Sequence, residues 1–108
     1  MTPVRALLHA PATAPRGTVV ELRATMAHPM ETGYRRDGDG QMLPQDLVRR
    51  VEARFEGQVF FTADLHAAIA AQPHLAFFLR LPGSGTVTVR WTGDRNLLHE
   101  QSVRIVAT

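Results

Sequence analysis

Five histidines, His9, His28, His66, His74 and His99, are the side chains in this sequence most suited to binding a metal or moving a proton. Their spacing works against a shared site. No two stand at i,i+2 on a strand or i,i+4 on a helix, so a site would have to draw on separate loops. His28 and Met30 form a His-x-Met pair that would suit soft copper. No cysteine or second histidine lies near it, and loop packing with hydrogen bonding accounts for the same pair. Asp37 and Asp39 suggest calcium, but each directly precedes a glycine. Turn chemistry explains both without an ion, and the EF-hand glutamate is missing. Ser84 stands between Gly83 and Gly85, which is a flexible turn and lacks the spacing of a nucleophile elbow. There is no glycine-rich phosphate loop. There is also no cysteine, which excludes a thiol nucleophile, a cysteine-based zinc or iron–sulfur site, and any disulfide. Neither a catalytic set, a metal nor another cofactor is expected.

The overall charge adds little. A sequence pI near 10.4 hints at nucleic acid, but the formal net charge is only +2. All twelve basic residues are arginine, so few groups titrate just above neutrality and a small excess drives the pI upward. The arginines are scattered, with only Arg35-Arg36 and Arg49-Arg50 adjacent, whereas a nucleic-acid footprint needs a clustered face. No apolar stretch is long enough to span a bilayer. Met1–Pro15 does not read as a signal peptide, because Arg5, His9 and Pro11 leave no apolar core. The 108 residues suit a single domain, 1–108.

The elements that would position any site are strands. A short strand is expected around Val4 to Leu8, then a loop from Ala10 to Gly17. Val20, Leu22, Ala24 and Met26 alternate with Glu21, Arg23 and Thr25, the period of a strand with one buried face. His28-Pro29 ends it. Asp37-Gly38 and Asp39-Gly40 mark a tight turn within Tyr34 to Gln41. Val51, Ala53 and Phe55 alternate with Glu52, Arg54 and Glu56, and Gly57-Gln58 is expected to turn this strand into Val59–Thr62. Leu65 to Ala71 predicts a short connecting helix, capped by Asp64 and ended by Pro73. Leu75, Phe77 and Leu79 share a face, and so do Val87, Val89 and Trp91. Thr92 to Asn96, with Gly93-Asp94, is expected to be a hairpin turn into the last strand, Leu97 to Val106. About seven short strands between turn signals predict an all-β antiparallel sandwich, with Trp91 and the phenylalanines as core anchors.

One segment stands apart: His28-Pro29-Met30-Glu31-Thr32-Gly33-Tyr34-Arg35-Arg36-Asp37. From its residues alone it is a polar, sharply turned loop on a rigid scaffold, a common place for binding function. It is equally a structural loop, with Glu31 pairing an arginine and Gly33 permitting a positive φ. This string resembles the signature loop of the SoxZ family. Leu43-Pro44, Leu47-Val48, the run Gly57–Ala63 and Pro73-His74-Leu75-Ala76-Phe77 resemble the family's continuation, so that the likeness runs from about Val19 to Trp91. The resemblance implies an immunoglobulin-like sandwich that pairs with SoxY, whose cysteine carries sulfur intermediates on a mobile arm during thiosulfate oxidation. It implies the cysteine-free, non-catalytic subunit of that heterodimer, meeting the other Sox enzymes transiently. It implies a periplasmic protein exported together with a signal-bearing partner, with no nucleic-acid or membrane partner. His28, Pro29, Met30, Glu31, Gly33, Arg35 and Arg36 are the candidate contacts to the partner, its arm or its anionic cargo, arginine being suited to such groups by its bidentate fork. Two alternatives stay open: a SoxYZ-like carrier of a quinoprotein-linked pathway, and a small periplasmic metal-binding protein using His28 and Met30.

Overall fold

The computed structural model describes residues 5–28, 30–65 and 73–108. Eight strands follow one another: β1 (Arg5–His9), β2 (Thr13–Ala14), β3 (Val19–Ala27), β4 (Val48–Phe55), β5 (Gln58–Asp64), β6 (His74–Arg80), β7 (Gly85–Gly93) and β8 (Leu98–Ala107). They form a three-stranded sheet, β1-β3-β6, and a five-stranded sheet, β2-β8-β7-β4-β5. This is an immunoglobulin-like sandwich. One pairing departs from the antiparallel expectation: two-residue β2 runs parallel to the end of β8, with Thr13 opposite Val106 and Ala14 opposite Ala107. Pro11 and Pro15 confine it to that length, since neither can donate to a ladder.

Strand alternation builds the core. Val20, Leu22, Ala24 and Met26 of β3 and Phe77 and Leu79 of β6 face Val48, Val51, Ala53, Val87, Val89, Trp91 and Ile105 of the opposite sheet, all buried. Trp91 is the largest fully buried side chain. Phe60 and Phe61 of edge strand β5 both meet Phe77 of edge strand β6, the latter pair stacked at 4.6 Å, so aromatic rings join the two sheets along one side. Phe78, in contrast, points outward from β6 and is 60% exposed, so it is not a core anchor. Its position follows from the period of two, which sends neighbours of Phe77 to the other face.

One hairpin turn sits one residue before its expected place, and the other lies within the expected Thr92–Asn96 segment. The β4–β5 hairpin closes on the Phe55–Gln58 pair, leaving Glu56 (φ 48°) and Gly57 (φ 84°) as its centre. The β7–β8 turn is centred on Arg95 (φ 57°) and Asn96 (φ 59°), and Leu97 donates its N–H to the Asp94 carbonyl. Both are two-residue turns with two positive φ values, which match the twist of the flanking strands. The helix expected over Leu65 to Ala71 falls, Leu65 apart, outside the described residues. Leu65 is buried and donates its N–H to the Arg49 carbonyl at 2.8 Å. Among the described residues there is no helix.

Candidate functional site

β3 and β4 belong to different sheets, and the chain joins them at one end of the sandwich through residues 28–47. The β7–β8 turn lies at the same end, and the two segments lock together.

The lock begins at His28, whose side chain is only 10% exposed. Its Nδ1 accepts the backbone N–H of Met30 at 3.0 Å, so the proton of the neutral ring sits on Nε2, which faces Asp46 Oδ1 at 3.5 Å. Met30 adopts φ 52°, a left-handed conformation that costs a residue with a side chain about 1 kcal/mol or more. Burial of its side chain offsets that strain, and its Sδ lies 3.3 Å from the Val48 N–H as a weak acceptor. Glu31 and Asp46 then close the neck of the loop with two backbone hydrogen bonds, each N–H donating to the other's carbonyl at 2.8 Å.

The β7–β8 turn supplies a second brace. Asp94 donates its N–H to the Leu47 carbonyl at 2.9 Å, and its Oδ2 accepts the Leu47 N–H at 3.0 Å. Both backbone groups of a fully buried leucine are thereby satisfied. Arg49 donates to both Asp94 oxygens, at 3.1 and 3.2 Å, and to Gln45 Oε1 at 2.9 Å. Gln45 in turn donates to the Thr32 carbonyl at 3.3 Å. Arg49 and the Leu47 N–H hold the Asp94 carboxyl below its ordinary pKa, against the opposing effect of burial. Gly93 makes the close approach possible, because a Cβ there would overlap the Leu47 carbonyl oxygen.

Beyond the neck the loop folds back as a small ribbon. Leu43 donates to the Arg35 carbonyl and Asp37 to the Gln41 carbonyl, both at 2.8 Å. Asp37 Oδ1 accepts the N–H groups of Asp39 and Gln41, at 2.9 and 3.0 Å, and Arg36 Nη1 donates to the Gly40 carbonyl at 2.7 Å. Gly33 turns the chain at φ 93°. Arg35 pairs with Glu31, four residues back, and that hydrogen-bonded guanidinium holds the Glu31 carboxyl below its usual pKa. Residues 34–42 are all exposed, with Tyr34 83% and Met42 47% accessible. An aromatic ring, a thioether and two guanidinium groups thus stand on a ribbon that is ordered by its own hydrogen bonds. Such side chains are enriched where protein surfaces meet.

Of the residues singled out from sequence, His28, Met30 and Glu31 come together at the neck, Gly33 follows it, and Arg35 and Arg36 lie on the exposed ribbon. Pro29 falls outside the described residues. The structure also brings in Asp46, Leu47, Arg49 and Asp94, none of which the sequence placed at this site. Asp94 was legible only as a turn residue, and its partner is forty-seven positions away. The His28–Met30 pair serves loop packing, and the Asp37 carboxylate is engaged by turn amides. Among the described residues no three His, Asp or Glu side chains gather as a metal-ligand group.

No curated protein matches the chain in sequence. Solved structures share its fold. A superoxide reductase (neelaredoxin) from Ignicoccus hospitalis is 19% identical with a TM-score of 0.76, covering 95% of this chain and 79% of that one. A putative superoxide reductase from Thermotoga maritima is 17% identical with a TM-score of 0.72, over 95% and 85% of the two chains. The sulfur carrier protein SoxY from Chlorobium limicola f. thiosulfatophilum is 11% identical with a TM-score of 0.63, over 94% and 74%. At these identities the likeness is one of fold. The model of the sulphur oxidation protein SoxZ family matches residues 8–104, nearly the whole chain and the entire loop. The chain therefore belongs to the SoxZ family, and its role is of the carrier type in sulfur oxidation.

Proposed function

We propose that this chain is the non-catalytic subunit of a SoxYZ-type heterodimer. It binds a SoxY-like subunit and helps present that subunit's cysteine-bound sulfur intermediates to thiosulfate-oxidising enzymes. The observation that carries the reading is the family match across residues 8–104, which includes a loop braced at its base and exposed at its tip. Without a thiol of its own, the chain contributes by gripping the polypeptide that owns one. Tyr34, Arg35 and Arg36 are the contacts to the partner, its arm or its anionic cargo. His28, Met30 and Glu31, which the sequence grouped with Arg35 and Arg36 as contacts, act through the loop's shape. The heterodimer resides in the periplasm, the chain being exported with its signal-bearing partner.

Mixing the purified chain with a SoxY-type subunit and recording native mass spectra tests this directly. A one-to-one complex is expected, and burial of about 1,600 Å² in total would make it stable to dilution. Two separate species at micromolar concentration would overturn the reading. Restored thiosulfate oxidation on adding the chain to the remaining Sox proteins is the second expected result.

A further inference from the structure

The hydrogen bond from Met30 to His28 can exist in only one protonation state of the ring. Nδ1 accepts the Met30 N–H at 3.0 Å, so it must carry a lone pair. A proton on Nδ1 would place two donors against each other at that distance. We propose that His28 is a proton-operated latch: its protonation releases the Met30 amide and loosens the neck of the 28–47 loop. The proposal regulates the loop assigned above to partner binding, and only its functional consequence rests on that assignment.

Three features make this ring a latch. First, it is enclosed, with a side chain 10% exposed, so water is a poor substitute for the partners it loses. Second, the released residue is under tension. Met30 is a non-glycine residue at φ 52°, and it relaxes toward ordinary φ values once its N–H is free. Third, the opposite side of the ring is not disrupted by the proton. Nε2 faces Asp46 Oδ1 at 3.5 Å, and a charged ring holds that carboxylate more strongly. The ring therefore stays with Asp46 and lets Met30 go. Met30 in turn carries the Sδ contact to Val48 and precedes the Glu31–Asp46 neck, so its release reaches the loop's base.

The charged groups around the ring come from three elements. Asp46 lies in the loop itself and also faces Arg95 of the β7–β8 turn at 3.9 Å. Asp94 of that turn is held by Arg49 of β4. Glu31, at the neck, is engaged by Arg35. Of these groups, Asp46 is the one in contact with the ring.

The test is a proton titration of the full chain by nuclear magnetic resonance between pH 4.5 and 8. The His28 ring signal is followed together with the exchange rate of the Met30 amide, the latter divided by its intrinsic rate at each pH. The expected result is a loss of Met30 protection of at least tenfold, with the same midpoint as the ring titration and with core amides such as Leu22 and Val89 unchanged. His28→Asn offers an acceptor oxygen that does not titrate, and it should keep Met30 protected throughout. Asp46→Asn should move the midpoint to lower pH. A ring that titrates while Met30 protection stays constant would overturn the proposal, and so would His28→Asn losing protection over the same interval. The wild-type titration decides the matter should a variant fail to fold. No partner protein is needed, so this result and the result of the heterodimer experiment are read independently.

Discussion

The base and the tip of the 28–47 loop are adjacent in sequence but physically opposite. At the base, Met30 and Leu47 are buried, the backbone is bonded on both sides, and Asp94 and Arg49 reach in from other elements. At the tip, residues 34–42 are exposed and make their hydrogen bonds within the loop. The base behaves as a continuation of the core, whereas the tip is a surface held out by it. An exposed ribbon that is already ordered loses little conformational freedom on binding, which is the advantage of pre-organisation.

Mutations should separate the two parts. Met30→Ala deletes a buried side chain at the base and should destabilise the fold by about 3 kcal/mol in a urea titration. Asp94→Ala strands the buried N–H of Leu47 and should cost about 2 kcal/mol by the same measurement. Gly33→Ala, at the junction, meets a φ of 93° and the Gln45 Cβ at 3.4 Å, and should cost about 1 kcal/mol. Acid should weaken the brace further. The carboxyls of Glu31 and Asp94 have folded pKa values below their unfolded values of 4.5 and 3.8. Their contribution is therefore complete above those values and is lost as pH falls below them through the folded pKa. Thermal melts between pH 5 and 2.5 should show this decline, and Asp94→Asn should flatten part of it. Tyr34→Ala, at the tip, should change stability by no more than about 0.5 kcal/mol. Equal destabilisation by Met30→Ala and Tyr34→Ala would erase the distinction.

The outer faces of the two sheets differ in a related way. On the five-stranded sheet, Arg90 pairs with Glu100 across β7 and β8, Arg54 with Glu52, and Arg50 with Asp64, while Thr88 and Ser102 share a hydrogen bond. On the three-stranded sheet, Leu7, Val19 and Phe78 are exposed around the Arg23–Glu21 pair. Cross-strand ion pairs suit a solvated face.

Much of the fold was legible because it depends on period. The alternation of Val20, Leu22, Ala24 and Met26, and of Val87, Val89 and Trp91, specified buried faces that the structure contains. Turn centres were harder. Glycine marks where positive φ is easy, yet Glu56, Arg95 and Asn96 adopt it because a two-residue hairpin demands it at both central positions. The site was half legible. Glu31's pairing with an arginine and Gly33's positive φ were readable locally. The burial of His28 and Met30 was not, since it depends on Asp46, Val48 and Asp94, which only folding brings near.

The central claim is that the base holds the tip in place for a protein partner. The most direct measurement is calorimetric titration of a SoxY-type subunit with the wild-type chain and with the double variant Tyr34→Ala/Arg36→Ala, alongside thermal melts of both. The account predicts at least tenfold weaker binding with an almost unchanged melting temperature. Equal affinity for the two chains would contradict it.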